Sequence, residues 1–184
     1  MTAHPDQLDA NVALWNGDRL YRENIPGRLG VKTDEAAALT TAVMLSIGVP
    51  LASGDLISKI TVMVGATAAG TPVNQWAALY TPGGVLMTQS VDGTNTAIPA
   101  TTPLTFVLAA PQLIPAAGIY YAGVMVKATT VPSLMAQNTG LAWGAILTGQ
   151  AIRAQTSGSA LTGTAPATIA SPTTVAKVPY VVLS

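Results

Sequence analysis

The stretch from Asp55 to Ser90, DLISKITVMVGATAAGTPVNQWAALYTPGGVLMTQS, decides the fold. Ile60, Val62 and Val64 alternate with Lys59, Thr61 and Met63, the period-two pattern of a strand with one buried face. A small-residue loop, Gly65 to Pro72, follows. Trp76, Ala78 and Tyr80 then fall on one side of a second strand, with Gln75, Ala77 and Leu79 on the other. Pro82-Gly83-Gly84 turns the chain, because proline presets φ at about −65° and glycine accepts the positive φ of a tight hairpin. Val85, Met87 and Gln89 return antiparallel, alternating with Leu86, Thr88 and Ser90.

Working outward, more strands appear. Thr41 to Val49 reads as a strand, with Pro50 to Gly54 as a turn after it. Leu104 to Leu108 is a short strand closed off by Pro111 and Pro115. In Gly118 to Lys127, GIYYAGVMVK, the residues Tyr120, Ala122, Val124 and Val126 face one way and Ile119, Tyr121, Gly123 and Met125 the other. Both faces are apolar, so both must be covered, one by an opposing sheet and the other, on this reading, by a neighbouring subunit. Pro132 to Ala136, Leu141 to Leu147 and Pro179 to Leu183 complete the set. Residues 155–174 are almost wholly Ser, Thr, Ala, Gly and Pro, too poor in apolar bulk to build a core of their own, and read as a long loop or extended arm. The expectation is an all-β antiparallel β-sandwich of eight or nine short strands, a jelly roll being the arrangement that suits such a number without repeats.

Charge divides the chain. Ten of its sixteen charged side chains lie in the first 35 residues, and the rest of the 184-residue chain carries only Asp55, Lys59, Asp92, Lys127, Arg153 and Lys177. Residues 1–35 therefore read as a charged N-terminal arm and 36–184 as the sandwich. Pro5 to Asn16 has the marks of a short helix, with Leu8, Val12 and Trp15 on one side. Beyond it RLYRENIPGRLG mixes arginines with apolar anchors, and reads either as an edge strand with a solvated loop or as a docking peptide laid across a neighbour. On the second reading Arg19, Tyr21, Arg22, Ile25 and Arg28 are the anchoring candidates.

Little in the composition supports catalysis. There is no cysteine, and the one histidine, His4, lies in the arm, so thiolate metal sites and Ser-His-Asp or Cys-His arrangements have no material in the body. Asp55 and Asp92 each sit beside a glycine, where an aspartate commonly binds turn amides, and that structural role is preferred to a glycosidase pair. Gly65 to Thr71 has the glycine spacing of a phosphate loop but no lysine, and joins two strands where a helix should follow. No catalytic residue, metal site or cofactor is expected. A formal net charge of zero gives no footprint for nucleic acid or an anionic membrane. The amino terminus lacks the pattern of a secretory signal, and the strands look shorter than the roughly 9 to 11 residues that an outer-membrane barrel needs. Among the aromatics, Trp143, between Gly140 and Gly144, is the candidate for a contact with glycan, and a carbohydrate-binding β-sandwich module is the alternative function.

The run LASGDLISKITVMVGATAAGTPVNQWAALYTPGGVLMTQS, followed by GIYYAGVMV, resembles the small jelly-roll virion proteins of tailed phages that infect actinobacteria, those of the minor tail, receptor-binding or capsid-decorating type. The likeness spans roughly Leu39 to Ala136. It implies a non-enzymatic structural protein of the phage particle, a homotrimer made in the host cytoplasm, mounted on other phage structural proteins by its arm, with host surface glycans as contacts of its outer end. A fainter similarity links Gly118-Ile119-Tyr120-Tyr121 to the penultimate strand of trimeric C1q-like and tumour-necrosis-factor-like jelly rolls, and implies no more than three-fold assembly. There is no coiled-coil or repeat shaft, so the resemblance does not extend to a long fibre.

Overall fold

A computed structural model describes residues 21–25, 32–138 and 148–184, and of residues 32–38 the main-chain path alone. Among these the strands are β1 (Arg22–Glu23), β2 (Lys32–Ala38), β3 (Met44–Leu51), β4 (Leu56–Met63), β5 (Gly70–Tyr80), β6 (Leu86–Gln89), β7 (Pro103–Leu113), β8 (Gly118–Thr130), β9 (Ser133–Asn138), β10 (Ala154–Ser157), β11 (Thr173–Thr174), β12 (Lys177–Pro179) and β13 (Val181–Leu183). A six-stranded sheet runs β11-β10-β3-β8-β5-β6, a four-stranded one β1-β13-β4-β7, and a three-stranded one β12-β9-β2. All pairings are antiparallel, and the architecture is a β-sandwich.

The period-two patterns place the core where the sequence points. Ile60, Val62 and Val64 are fully buried and pack with Ile47, Val49, Ala77, Leu79, Tyr120, Ala122, Val124, Val181 and Leu183 in one cluster between the six- and four-stranded sheets. The hairpin forms as expected. Thr81 N donates to Val85 O at 2.8 Å and Gly84 N to Thr81 O at 2.9 Å, with Gly84 at φ 75°, a conformation that a side chain would strain.

Three expectations change. The long strands β5, β7 and β8 have 11, 11 and 13 residues, so the strand count and strand lengths both exceed the eight or nine short strands read from the sequence, and strand length no longer argues against a barrel. What the interior shows is a packed apolar core rather than a polar lumen. The strand predicted to stop at Leu108 runs on through Pro111, which is tolerated because β7 is the edge of its sheet and carries extra residues between the Ile57↔Gln112 and Lys59↔Val107 pairs. The strand expected from Pro179 to Leu183 is broken at Tyr180, where the chain passes from β12 in the three-stranded sheet to β13 in the four-stranded one.

The second face of β5 and β8 is covered from within the chain. Met44, Trp76, Ala78, Tyr80, Tyr121 and Met125 form a separate buried cluster on the outer side of the six-stranded sheet, closed by Leu161, Ala165 and Ile169. Those three come from the Ser/Thr/Ala/Gly/Pro-rich segment, which lies across the sheet as a strap. The neighbouring subunit expected on this face is replaced by residues 158–171 of the same chain. Fully burying each large apolar side chain is worth roughly 1.5–3 kcal/mol, so a sparse cover over this many of them is enough to hold the strap. Gly123 makes the close packing possible. A Cβ there would stand 2.7 Å from Met44 Sδ and 3.0 Å from Tyr80 Cε2.

The leading segment is in part built into these sheets. Arg22 and Glu23 pair with Leu183 and Val182, and β2 pairs with β9. The helix expected over Pro5 to Asn16 and the strand expected over Leu141 to Leu147 lie outside the described residues.

Candidate interaction surface

Arg22 and Asp55 form the one ion pair recorded among the described residues. Asp55 sits in the turn before β4, where its Oδ2 accepts the amide of Ala52 at 2.8 Å, the role expected of an aspartate beside a glycine. The same carboxylate accepts Arg22 Nε at 2.7 Å and Nη2 at 2.5 Å, a two-pronged fit of planar fork to planar acceptor. Two residues on, Asn24 is buried and bonds both ways across Tyr180. Its Nδ2 donates to Pro179 O at 2.6 Å and its Oδ1 accepts Val181 N at 2.8 Å, which continues the β1–β13 ladder through a side chain. Beyond it Ile25 is buried.

Of the anchoring candidates, Arg22 and Ile25 are therefore engaged within the chain, and Tyr21, 40% exposed, is the described one that faces outward. Arg19, Arg28 and the glycan candidate Trp143 lie outside the described residues. Asn24 escaped sequence reading, since a lone asparagine in a charged segment gives no signal of burial.

Tyr21 stands between two concavities. One, of about 490 Å³, is lined by Tyr21, Arg22, Asp55, Lys59, Leu183 and Ser184 among others. Its floor is set by the main chain of Ser184, whose oxygen accepts the amides of Ser58 at 2.7 Å and Lys59 at 2.8 Å opposite the irregular part of β7. The other, of about 420 Å³, is more apolar and is lined by Thr61, Met63, Met135, Tyr180 and Val182 as well as Tyr21. Leu56, which borders the first, is a direct cross-strand partner of Leu113, so the two side chains stand together on one face. They are 61% and 65% exposed. Val107, paired with Lys59, is exposed further along the same edge.

The chemistry of this surface is that of contact. Among the described residues no group of three or more His, Cys, Asp or Glu is placed to hold a metal ion. Asp92 is spent on structure like Asp55: it accepts the Gln75 amide at 2.8 Å, Asn74 Nδ2 at 2.5 Å and the Thr94 hydroxyl at 3.0 Å, pinning the turn after β6 to β5. The aromatics of the six-stranded sheet, Trp76, Tyr80, Tyr120 and Tyr121, are all buried, and desolvation pushes the Tyr80 and Tyr121 phenols above their ordinary range, a bond to the Ile152 main chain offsetting part of the rise at Tyr121. No protein-family model matches this chain, and no curated protein matches it.

Proposed function

We propose that this chain is a non-enzymatic structural subunit of a bacteriophage virion, a minor tail or capsid-decoration protein that works as a homotrimer and meets other phage structural proteins through its charged leading segment. The observation that carries the reading is the Leu56–Leu113 pair, uncovered apolar surface beside the point where the leading segment joins the sheet at Arg22. The rim borders the Arg22–Asp55 pair and Lys59 in a body otherwise poor in charge, and symmetric association removes its apolar surface from water. The resemblance of residues 51–90 and 118–126 to small virion proteins of actinobacterial phages supports the same reading.

A glycan contact belongs to the outer end of the assembly in this proposal. The buried aromatics of the six-stranded sheet offer no stacking platform, so Trp143 remains the candidate for that contact. The experiment is quantitative mass spectrometry of purified phage particles with labelling of this chain under the electron microscope. A fixed copy number per particle at a defined position is expected. Absence from particles, with the chain free in the lysate, overturns the proposal.

A further inference from the structure

The leading segment reaches the body beside a hollow. In the register Arg22↔Leu183 and Glu23↔Val182, β1 runs antiparallel to β13, so Tyr21 falls opposite Ser184 and the residues before it are carried past Ser184. What lies there is the concavity of about 490 Å³ lined by Tyr21, Leu56, Ser58, Lys59 and Ser184 among others. Lys59 is exposed in its wall and has no ion-pair partner among the described residues. A lone cation set among aliphatic and aromatic side chains suits an occupant that is both acidic and aromatic.

The sequence immediately upstream has that character. Trp15-Asn16-Gly17-Asp18-Arg19-Leu20 leads directly into Tyr21. Asn-Gly is a turn dipeptide, because both residues accept the left-handed backbone of a tight turn, and a turn at that place brings Trp15 back towards Tyr21. Asp18 stands three residues before Tyr21, a distance of at most roughly 10 Å even in a fully extended chain. Its carboxylate is therefore confined to the neighbourhood of the concavity by the chain itself. Such a short tether gives the segment a high effective concentration at the hollow, which an untethered competitor lacks.

We propose that this concavity is the seat of residues 15–20 of the same chain, with Asp18 set against Lys59 and Trp15 laid between Lys59 and Tyr21. The carboxylate supplies the missing counter-charge, and the face of the indole meets the ammonium group. The inference goes beyond the virion reading and does not depend on it. It gives the leading segment a fixed course over its own body, and leaves residues 1–14, with Asp6 and Asp9, for contacts with other proteins.

An arginine-specific protease acting on the full chain reads this seat at the bond after Arg19, with the fragments identified by mass spectrometry. Lys59→Glu, a change at an exposed position, should speed that cleavage, and the charge swap Lys59→Glu with Asp18→Lys should slow it again. The emission of the wild type minus that of Trp15→Phe isolates Trp15. It should be that of a sheltered indole, unchanged on dilution, and the same difference taken in the Lys59→Glu background should lie at longer wavelength. Equal cleavage after Arg19 in the wild type and Lys59→Glu overturns the proposal, as does a solvent-like Trp15 emission in the wild type. Sheltering that is lost on dilution overturns it as well, because it places the segment on a second copy. A monomeric wild type with Trp15 sheltered supports this seat while contradicting the reading of the chain as a trimer.

Discussion

The guanidinium of Arg22 grips the carboxylate of Asp55 across 33 residues of sequence, with both nitrogen–oxygen contacts at or below 2.7 Å and side chains that are 17% and 11% exposed. That pair fastens the leading segment to the turn before β4. Its partial withdrawal from water makes it worth more than a surface salt bridge and makes loss of one partner costly.

Replacing Asp55 by Ala should destabilise the fold by about 1–3 kcal/mol, because it strands both the Arg22 guanidinium and the Ala52 amide. Arg22→Ala should cost less, since the Asp55–Ala52 bond survives. Arg22→Lys should recover little, as an ammonium cannot present two parallel donors. Urea unfolding of the two single variants and the double variant checks this, and a coupling energy near zero would mean that the pair does not fasten the segment.

Trp76 tests the strap. Trp76→Phe keeps most of the buried bulk and removes the donor to Thr162 O, and should lower stability by about 1–3 kcal/mol; Trp76→Ala should cost about 3–5 kcal/mol. Both should raise binding of a hydrophobic dye and speed proteolysis between residues 158 and 171, because the cover loosens before the sandwich does. Equal protease resistance in the wild type and Trp76→Phe would contradict the arrangement.

Alkaline stability follows from Tyr80 and Tyr121, whose phenols are raised above their ordinary value by burial. Unfolded tyrosine ionises near about pH 10, whereas burial shifts ionisation of these two upward in the fold, so the native state holds more protons just above that pH. Stability is fully present below about pH 10 and falls as pH rises beyond it. Tyr80→Phe should lose about 0.5–1.5 kcal/mol at neutral pH through its bond to Pro166 O, yet show a shallower decline between pH 10 and 12. Urea midpoints at neutral and alkaline pH measure both effects, and parallel declines for the two proteins would contradict the assignment.

Much of this fold is legible in residue order. From Trp76 to Tyr80 the alternation in β5 assigns Ala77 and Leu79 to the inner core and Trp76 and Tyr80 to the outer cluster, because a strand's period of two sends successive side chains to opposite faces. What covers the outer cluster was not legible. Residues 158–171 recognise the sheet through their carbonyls and amides, which every residue has, and offer only Leu161, Ala165 and Ile169 as side-chain signal. The Arg22–Asp55 pair was equally hidden: each residue stands out alone, but pairing across 33 positions depends on β1 lying beside β13, a consequence of the whole topology. Pro111 misled in the other direction, since a proline ends a central strand but not an edge strand.

Self-association through the Leu56–Leu113 rim is the claim on which the functional reading turns. Light scattering of the purified full chain at micromolar concentration measures it. The expected mass is three times the 18.6 kDa of one chain, falling to a single chain for the Leu56→Lys, Leu113→Lys variant with a stability change within about 0.5 kcal/mol per site, as befits exposed positions. A wild-type mass of one chain, unchanged on dilution or concentration, would contradict it.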